Sequence, residues 1–233
     1  MIEPKAPTQL DFEAWNERMS REHDPDEFHT KSSFIVRFLE RRRVAGVVKL
    51  LDAQPADRIL EVGCGAGNVL ERIPAGQLYG IDLSSHLVEK ARRLLGERAV
   101  IEKADAENLP FENGYFTKTY CTEVLEHVLR PERVLAEVHR VLAPGGLLVV
   151  SVPYERVIVG LKRLLKRIGL YGWVLKSPNG YQTPEANEWH LHEFTPDKLR
   201  ELVRPYFHLD RLVALPNRLL TLHYLARCRK PTG

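Results

Sequence analysis

The chain has 233 residues, enough to bury a sizeable core, and its 44% hydrophobic and 28% charged content is ordinary for a globular protein. Its formal net charge of +3 is far below that of dedicated nucleic-acid-binding proteins, so we expect no nucleic-acid partner. The three cysteines lack metal-like spacing, which favours a reducing, cytoplasmic location over a disulfide framework. The polar N-terminus and the absence of a long apolar run predict neither a signal peptide nor a membrane-spanning helix.

Two patterns follow in chain order. Residues 1–52 are predicted to form a helical N-terminal cap, because residues 31–51 carry apolar side chains at helical spacing. From residue 53 to 153, short β-rich segments alternate with amphipathic segments, which predicts βαβ units and a mostly parallel sheet covered on both faces. Helices are expected to begin near Asn68, Ser84 and Pro131.

The pattern changes after residue 153. Residues 154–194 combine a basic amphipathic segment with a polar loop, and we interpret them as a lid inserted after the fifth strand. Residues 195–233 are predicted to form a helix from about Thr195 and then an antiparallel hairpin, whose two apolar runs are separated by Pro216 and Asn217. We therefore expect one α/β domain over residues 1–233.

A glycine-rich turn follows the first predicted strand in the segment ILEVGCGAG. Gly63, Cys64, Gly65 and Gly67 belong to this turn, where glycine allows a close approach of the backbone to a ligand. The glycines are spaced G-x-G-x-G, so the dinucleotide-binding pattern G-x-G-x-x-G is not met. Glu61 precedes the turn, and its carboxylate would repel a pyrophosphate but attract a cationic ligand.

Acidic residues also follow the next two predicted strands. Asp82 comes nineteen residues after Gly63, at the position where doubly wound folds bind a ribose diol. Asp105 follows the third strand and is expected to accept a hydrogen bond from an adenine amine, with the backbone of Ala106 bonding a ring nitrogen. Each acid taken alone also fits a helix cap or a solvated loop, but the ordered set favours a nucleoside ligand.

The segments LEVGCGAG, YGIDLS, DAENLPF, CTEVLEHV and VLAPGGLLVVSVP, in that order, resemble the class I S-adenosylmethionine (SAM)-dependent methyltransferases. They are most similar to the type 11 branch, which includes enzymes of ubiquinone and menaquinone biosynthesis. The resemblance implies a Rossmann-like seven-stranded sheet with an antiparallel last strand, SAM as cofactor and S-adenosylhomocysteine (SAH) as product. It implies SAM contacts at Glu61, Gly63, Gly65, Asp82, Leu83, Asp105, Ala106 and Thr122.

The same resemblance implies an arginine upstream of the glycine turn that binds the carboxylate of SAM. Arg43 is the nearest match, although a solvated arginine on a helix is the alternative interpretation. Two other functions stay open: a nicotinamide-dependent oxidoreductase on a similar fold, and a SAM-binding module without turnover. The missing G-x-G-x-x-G pattern disfavours the former.

Three histidines are candidates for a catalytic base. His127 follows the fourth predicted strand, and His190 and His192 lie where the lid rejoins the domain. Structural packing is the alternative for all three. No carboxylate set with recognisable ligand spacing accompanies them, so we expect no metal site.

The basic segment of residues 156–176 gives an indication of the chemical type of the acceptor. On a helix its apolar and basic side chains lie on opposite faces, which is typical of a membrane-surface element but also of a helix that caps the core. We therefore expect methyl transfer to a small-molecule acceptor, with lipophilic quinol-, phenol- or lipid-linked types among the candidates and O-methylation favoured over C- or N-methylation. A monomer and a homodimer are equally compatible with the sequence.

Overall fold

The strands form one twisted sheet that organises the chain. The computed structural model describes residues 7–8, 11–24, 31–175 and 189–232. Seven strands lie in these ranges: β1 Arg58–Val62, β2 Gln77–Asp82, β3 Ala99–Lys103, β4 Phe116–Thr122, β5 Leu142–Pro153, β6 His208–Pro216 and β7 Thr221–Arg229. Their order is β3-β2-β1-β4-β5-β7-β6, with parallel pairing from β3 to β5 and antiparallel pairing of β7 to both β5 and β6. This confirms the predicted mostly parallel sheet with a reversed last strand.

Helices cover both faces of this sheet. In chain order they are α1 Phe12–Glu22, α2 Phe34–Leu51, α3 Ser85–Leu95, α4 Pro131–Val141, α5 Glu155–Arg167, α6 Tyr171–Leu175 and α7 Pro196–Val203. One core cluster joins the sheet to α4 and α7, and a second joins its other face to α2 and α3. In β1, Ile59 belongs to the second cluster and Leu60 to the first, because successive strand residues point to opposite faces.

Most predicted helix boundaries are confirmed by their caps. The hydroxyl of Ser84 accepts a hydrogen bond from the backbone N–H of Leu87, and Pro131 occupies the first turn of α4. The helix expected near Asn68 is wrong, because that region contains only a three-residue 3-10 turn at Leu70–Arg72. Pro74 follows closely, and proline disfavours helical backbone at the residue before it.

The segment after β5 has the predicted form of a lid. Helix α5 begins at Glu155, directly after the strand, and α6 follows it. Residues 176–188 of the predicted lid and residues 1–6, 9–10 and 25–30 of the predicted N-terminal cap lie outside the described residues. In the described part of the chain, no helix has the length and apolar character needed to cross a bilayer.

We predict that Gly63→Ala destabilises the fold. Gly63 has a φ of 71°, and an added Cβ would lie 2.3 Å from Cγ2 of Val124, so both the backbone and the packing would have to shift. The free energy of unfolding should fall by about 1–3 kcal/mol, measured by urea denaturation. Gly160→Ala is the matched control, since beyond its own helix backbone and chain neighbours no described atom lies within 4 Å of the added Cβ. This variant should be neutral or more stable by up to about 1 kcal/mol. Equal stability of Gly63→Ala and the parent chain would contradict the packing argument.

Candidate active site

A cavity of about 440 Å³ lies at the carboxyl edge of the parallel strands. Its floor is the edge formed by the ends of β1, β2 and β4, and its walls come from the N-terminal helices α1 and α2 and from the lid helices α5 and α6. Cavities of this size are typical of small-molecule sites, and such sites in open α/β sheets lie beyond the carboxyl ends of the strands.

The predicted cofactor-binding residues converge on this cavity, with one exception. Those that line it are Arg43, Glu61, Gly63, Cys64, Gly65, Asp82, Leu83, Asp105, Ala106 and Thr122. Gly67 instead faces α3, where an added Cβ would lie 2.9 Å from Cδ1 of Leu95 and 3.4 Å from Cα of Ala91. The third glycine of the turn therefore allows close packing of a helix.

Asp82 fixes the glycine turn to the end of β2. Its Oδ2 accepts a hydrogen bond of 2.9 Å from the N–H of Gly65, and its Oδ1 accepts one of 2.9 Å from the N–H of Ser84. Burial raises the pKa of Asp82 despite these two bonds. The side chain is thus held rigidly at the cavity wall.

Helix α1 also contacts this corner of the site. The hydroxyl of Ser84 donates to Oε2 of Glu17 at 2.7 Å, and the hydroxyl of Ser20 donates to Oγ of Ser84 at 2.8 Å. Phe12 and Asn16 of the same helix line the cavity. The polar opening segment therefore forms a wall of the site, a role that no motif in the sequence signals.

Asp105 and Ala106 form the cavity wall beyond β3. Oδ1 of Asp105 accepts a hydrogen bond of 2.8 Å from the N–H of Glu107, which orders this turn. Glu107 in turn binds Arg130 through its carboxylate at 2.7 Å. The position of the Asp105 carboxyl is therefore set by the local turn and by a link to the start of α4.

Glu61 is a buried carboxyl at the end of β1. The hydroxyl of Tyr120 donates a hydrogen bond of 3.0 Å to its Oε2. Burial raises the pKa of Glu61 to about 8, against the opposing influence of that hydrogen bond and of the Arg43 charge. A cationic ligand in the cavity would favour the ionised form of this carboxyl.

Arg43 is buried, whereas Arg41 and Arg42 are exposed, so the interpretation of Arg43 as a solvated arginine is wrong. Its Nη2 lies 2.7 Å and its Nε 3.1 Å from Oε2 of Glu40. Burial acts to lower the pKa of Arg43, but the carboxylates of Glu40 and Glu123 outweigh it and raise the pKa above its usual range. The guanidinium is therefore a permanent charge in the cavity wall.

Further polar side chains extend this ion pair. Nη1 of Arg43 lies 3.5 Å from Oγ of Ser151, and the Ser151 hydroxyl donates to Glu123. Oε2 of Glu123 lies 3.3 Å from Nε2 of His223 on β7. Burial alone would raise the pKa of Glu123, but the neighbouring His223 and Arg43 lower it well below its usual range.

This network can be predicted only in part from the sequence. Glu40 lies one helical turn before Arg43, a spacing that could have indicated an ion pair. Glu123 belongs to the segment CTEVLEHV, but nothing in the sequence indicates its positive φ of 55°, a conformation that non-glycine residues adopt mostly at special positions. Ser151 and His223 become neighbours of Glu123 only through the pairing of β4, β5 and β7.

Two of the three candidate histidines line the cavity. The rings of His127 and His190 lie 4.8 Å apart, centroid to centroid, and Trp189 packs on His127 at 4.5 Å. His192 is not in the cavity wall, because its Nε2 lies 2.9 Å from the carbonyl oxygen of Val128. The His-Leu-His segment belongs to no strand of the sheet, and of its two histidines only His190 lines the cavity.

Burial sets the charge at His127 and its neighbour Glu126. Burial and the nearby His190 lower the pKa of His127 to about 3, so the imidazole is neutral. Burial, together with the charge of Glu123, raises the pKa of Glu126 well above its usual range. Both groups therefore favour their uncharged forms in this part of the protein.

We predict that Glu61 makes stability decrease with rising pH. Its pKa is about 8 in the folded chain against 4.5 for an ordinary glutamate, so the stability it contributes is complete below about pH 4.5 and is lost as the pH rises through 8. The free energy of unfolding of the parent chain, minus that of Glu61→Gln, should fall by a few kcal/mol from about pH 5 to about pH 8.5.

Urea denaturation across this pH range measures the effect. The control is Glu89→Gln, whose carboxylate is exposed on α3 and pairs with Arg93 at 3.1 Å; its difference from the parent should stay nearly constant. A constant difference for Glu61→Gln as well would mean that Glu61 is already ionised in the folded chain.

The comparisons with known proteins point to one family. The family described as methyltransferase domain matches residues 60–150. A 24-methylenesterol C-methyltransferase 2 from Oryza sativa subsp. japonica is 35% identical, over 50% of this chain and 34% of that protein. A 27-O-demethylrifamycin SV methyltransferase from Amycolatopsis mediterranei is 31% identical, over 57% of this chain and 50% of that protein. The matches thus span half or less of these relatives' length.

Structural similarity extends over almost the whole chain. The crystal structure of the [4+2]-cyclase SpnF superposes with a TM-score of 0.67 at 19% identity, covering 99% of this chain and 98% of that one. At this identity the likeness concerns the fold alone. The family match and the fold together imply SAM as the cofactor and SAH as its product. Residues 60–150 of the chain therefore match the methyltransferase domain family, and they lie within a fold that the chain shares with SpnF.

Proposed function

We propose that the protein transfers the methyl group of SAM to a small-molecule acceptor, with oxygen favoured over carbon or nitrogen as the attacked atom. The observation that carries this proposal is the convergence of the glycine turn, the strand-end acids and two histidines on one cavity. In the reaction the acceptor oxygen would lose its proton to solvent and bond to the methyl carbon. The carbon–sulfur bond breaks, and sulfur keeps its electron pair as SAH leaves.

The residues of the cavity fit SAM, a ligand with a sulfonium, an ammonium and no phosphate. Asp82 would bind the ribose hydroxyls, and Asp105 with Ala106 would bind the adenine. Glu61 would face the cationic part of the ligand, where ionisation of its carboxyl is coupled to binding. Arg43 would bind the carboxylate of SAM, which supplies a further negative charge beside this buried guanidinium.

The acceptor half of the cavity is apolar. Its wall includes Val36 and Leu39 of α2 and Ile158, Leu161 and Leu165 of α5. We propose that the acceptor is lipophilic, because burial of apolar surface against such a wall is favourable. The wall also offers few hydrogen-bond partners for a polar molecule. A sterol methyltransferase among the relatives has an acceptor of this general kind.

His127 and His190 are our proposed acceptor-side residues. Both line the cavity, and alignment of the acceptor oxygen with the methyl group requires side chains on that side. His192 is less suitable, since its Nε2 is engaged by a backbone carbonyl outside the cavity wall.

We further propose peripheral contact with a membrane through α5, α6 and the start of α2. The inner face of α5 lines the cavity, so the helix is part of the site wall, but apolar side chains remain exposed on the outside. The exposed set comprises Phe34, Phe38, Leu164, Ile168, Leu170 and Trp173. Exposed basic residues accompany it on α5, namely Arg163, Lys166 and Arg167. Lys176, at the end of the basic segment, lies outside the described residues. This combination favours an anionic lipid surface.

We predict that Asp82→Ala weakens binding of SAM and SAH at least about tenfold, because it removes both the proposed ribose contact and the bonds that fix the glycine turn. Calorimetric titration with SAM, SAH and NADH measures it, and thermal melting checks that the variant is folded. Asp197→Ala, whose side chain is 82% exposed on α7, is the control and should bind like the parent. Binding of NADH by the parent chain, or of none of the three ligands, would contradict the proposed donor.

We predict that the protein co-sediments with anionic liposomes, and less so at high salt, where the charge contribution is screened. Trp173→Ser, which removes an aromatic side chain that is 77% exposed, should reduce the bound fraction. Leu94→Ser is the control, since Leu94 is 45% exposed on α3, away from this surface. If equal amounts of protein stay in the supernatant with and without liposomes, the membrane proposal is contradicted, and the function of α5 is only to form part of the cavity wall.

A further inference from the structure

Two histidines that line the cavity, His127 and His190, form a compact set of potential ligands with the buried Glu126. Glu126, His127 and His190 each contribute one side-chain donor atom, and these atoms all lie within 4.8 Å of one another. Glu126 and His127 come from the loop after β4, whereas His190 comes from the segment where the lid rejoins the domain. The lid therefore completes a cluster that the chain order keeps apart.

Both histidines are oriented through their Nδ1 atoms. Nδ1 of His127 lies 3.1 Å from the carbonyl oxygen of Trp189, which can only accept a hydrogen bond, so Nδ1 carries the proton. Nδ1 of His190 bonds the buried carboxylate of Glu155. In the tautomer that carries its proton on Nδ1, an imidazole has a free electron pair on Nε2. Histidines that bind metal ions are held in the same manner, with the second nitrogen donating to a carbonyl or a carboxylate.

The third member of the set is the carboxyl group of Glu126, which has no hydrogen-bond partner among the described residues. Glu126 is fully buried, and neither of its carboxylate oxygens accepts a hydrogen bond from another residue of the described chain. A buried carboxyl left in this way costs stability unless a cation or hydrogen-bond donor occupies the space beside it. Arg43 does not fill that role by direct contact, since its guanidinium bonds Glu40 and Ser151.

We propose that Glu126, His127 and His190 bind a divalent transition-metal ion at the acceptor end of the cavity, with Glu155 as a positioning residue for His190. Two imidazoles and one carboxylate suit Zn²⁺, Fe²⁺ or Co²⁺ and leave coordination positions open. His127 and His190 line the cavity, so an open position would face the acceptor.

The role of this ion rests on the proposed function. An acceptor hydroxyl bound to the cation would have a lowered pKa and would release its proton to solvent, which leaves an oxygen nucleophile for the methyl group. The ion would also fix the position of that oxygen relative to SAM. The acceptor class that fits is a phenol or enol, or a catechol that offers two adjacent oxygens.

Direct cation binding tests the site without reference to turnover. The full chain is treated with EDTA, dialysed and titrated with Co²⁺ while its visible absorption is recorded, and Zn²⁺ is then added to displace the cobalt. We expect one Co²⁺ per chain with d–d absorption bands. In Glu126→Gln and His190→Asn these bands should be lost. In Glu155→Gln the affinity for Co²⁺ should fall roughly 10- to 100-fold, because Glu155 only positions His190. His192→Asn is the control from the same segment and should bind Co²⁺ like the parent.

SAH affinity, measured on the same samples, separates the two proposals and verifies folding. Variants that bind SAH normally but lose Co²⁺ support the metal site. A parent chain that binds SAH without any cobalt absorption would overturn it while the donor site stands, and cobalt bands unchanged in Glu126→Gln and His190→Asn would overturn it equally. Cobalt binding without SAH binding would support the metal site and contradict the proposed donor.

Discussion

The compensation of buried carboxylates by Arg43 is the interaction on which the site depends. The guanidinium reaches from α2 to the carboxyl edge of the sheet, bonds Glu40 and lies close enough to Glu123 and Glu126 to affect the charge of all three. Buried carboxylates cost several kcal/mol each unless a positive charge or hydrogen bonds offset that cost. Arg43 lies outside residues 60–150, so this charge beside Glu123 and Glu126 comes from outside the part of the chain that matches the family.

The N-terminal helices and the lid turn the open edge of the sheet into a cavity. Ser84, the N-cap residue of α3, bonds both Glu17 and Ser20 of α1 beside Asp82. These bonds connect the N-terminal helices to the part of the site that is proposed to bind SAM. The lid enters at the other end, where Leu191 and His192 donate backbone hydrogen bonds to the carbonyl oxygen of Glu126. Donor and acceptor halves are therefore joined through elements on either side of the family-matched core.

The similarity to known proteins covers the part of the site that is proposed to bind SAM more fully than the part that is proposed to bind the acceptor. The glycine turn, the strand-end acids and the loop after β4 all lie within residues 60–150, where the family match is found. The apolar wall, His190, His223 and the exposed surface of α5 and α6 lie outside it. Acceptor choice is a difference between affinities. Under the proposed function, this second group of residues would determine it together with His127, so relatives with different acceptors can share the rest of the first group.

The sequence by itself determined the α/β class, the sheet with its reversed hairpin and the set of residues around the glycine turn. These follow from local patterns, namely hydrophobic periodicity, turn chemistry and acids at strand ends. Tertiary structure decided three things: that Gly67 packs against α3, that Arg43 is buried while its two neighbours are exposed, and that His190 rather than His192 faces the cavity. Each depends on which surface covers a side chain, and that surface comes from segments distant in the chain, so no local pattern encodes it.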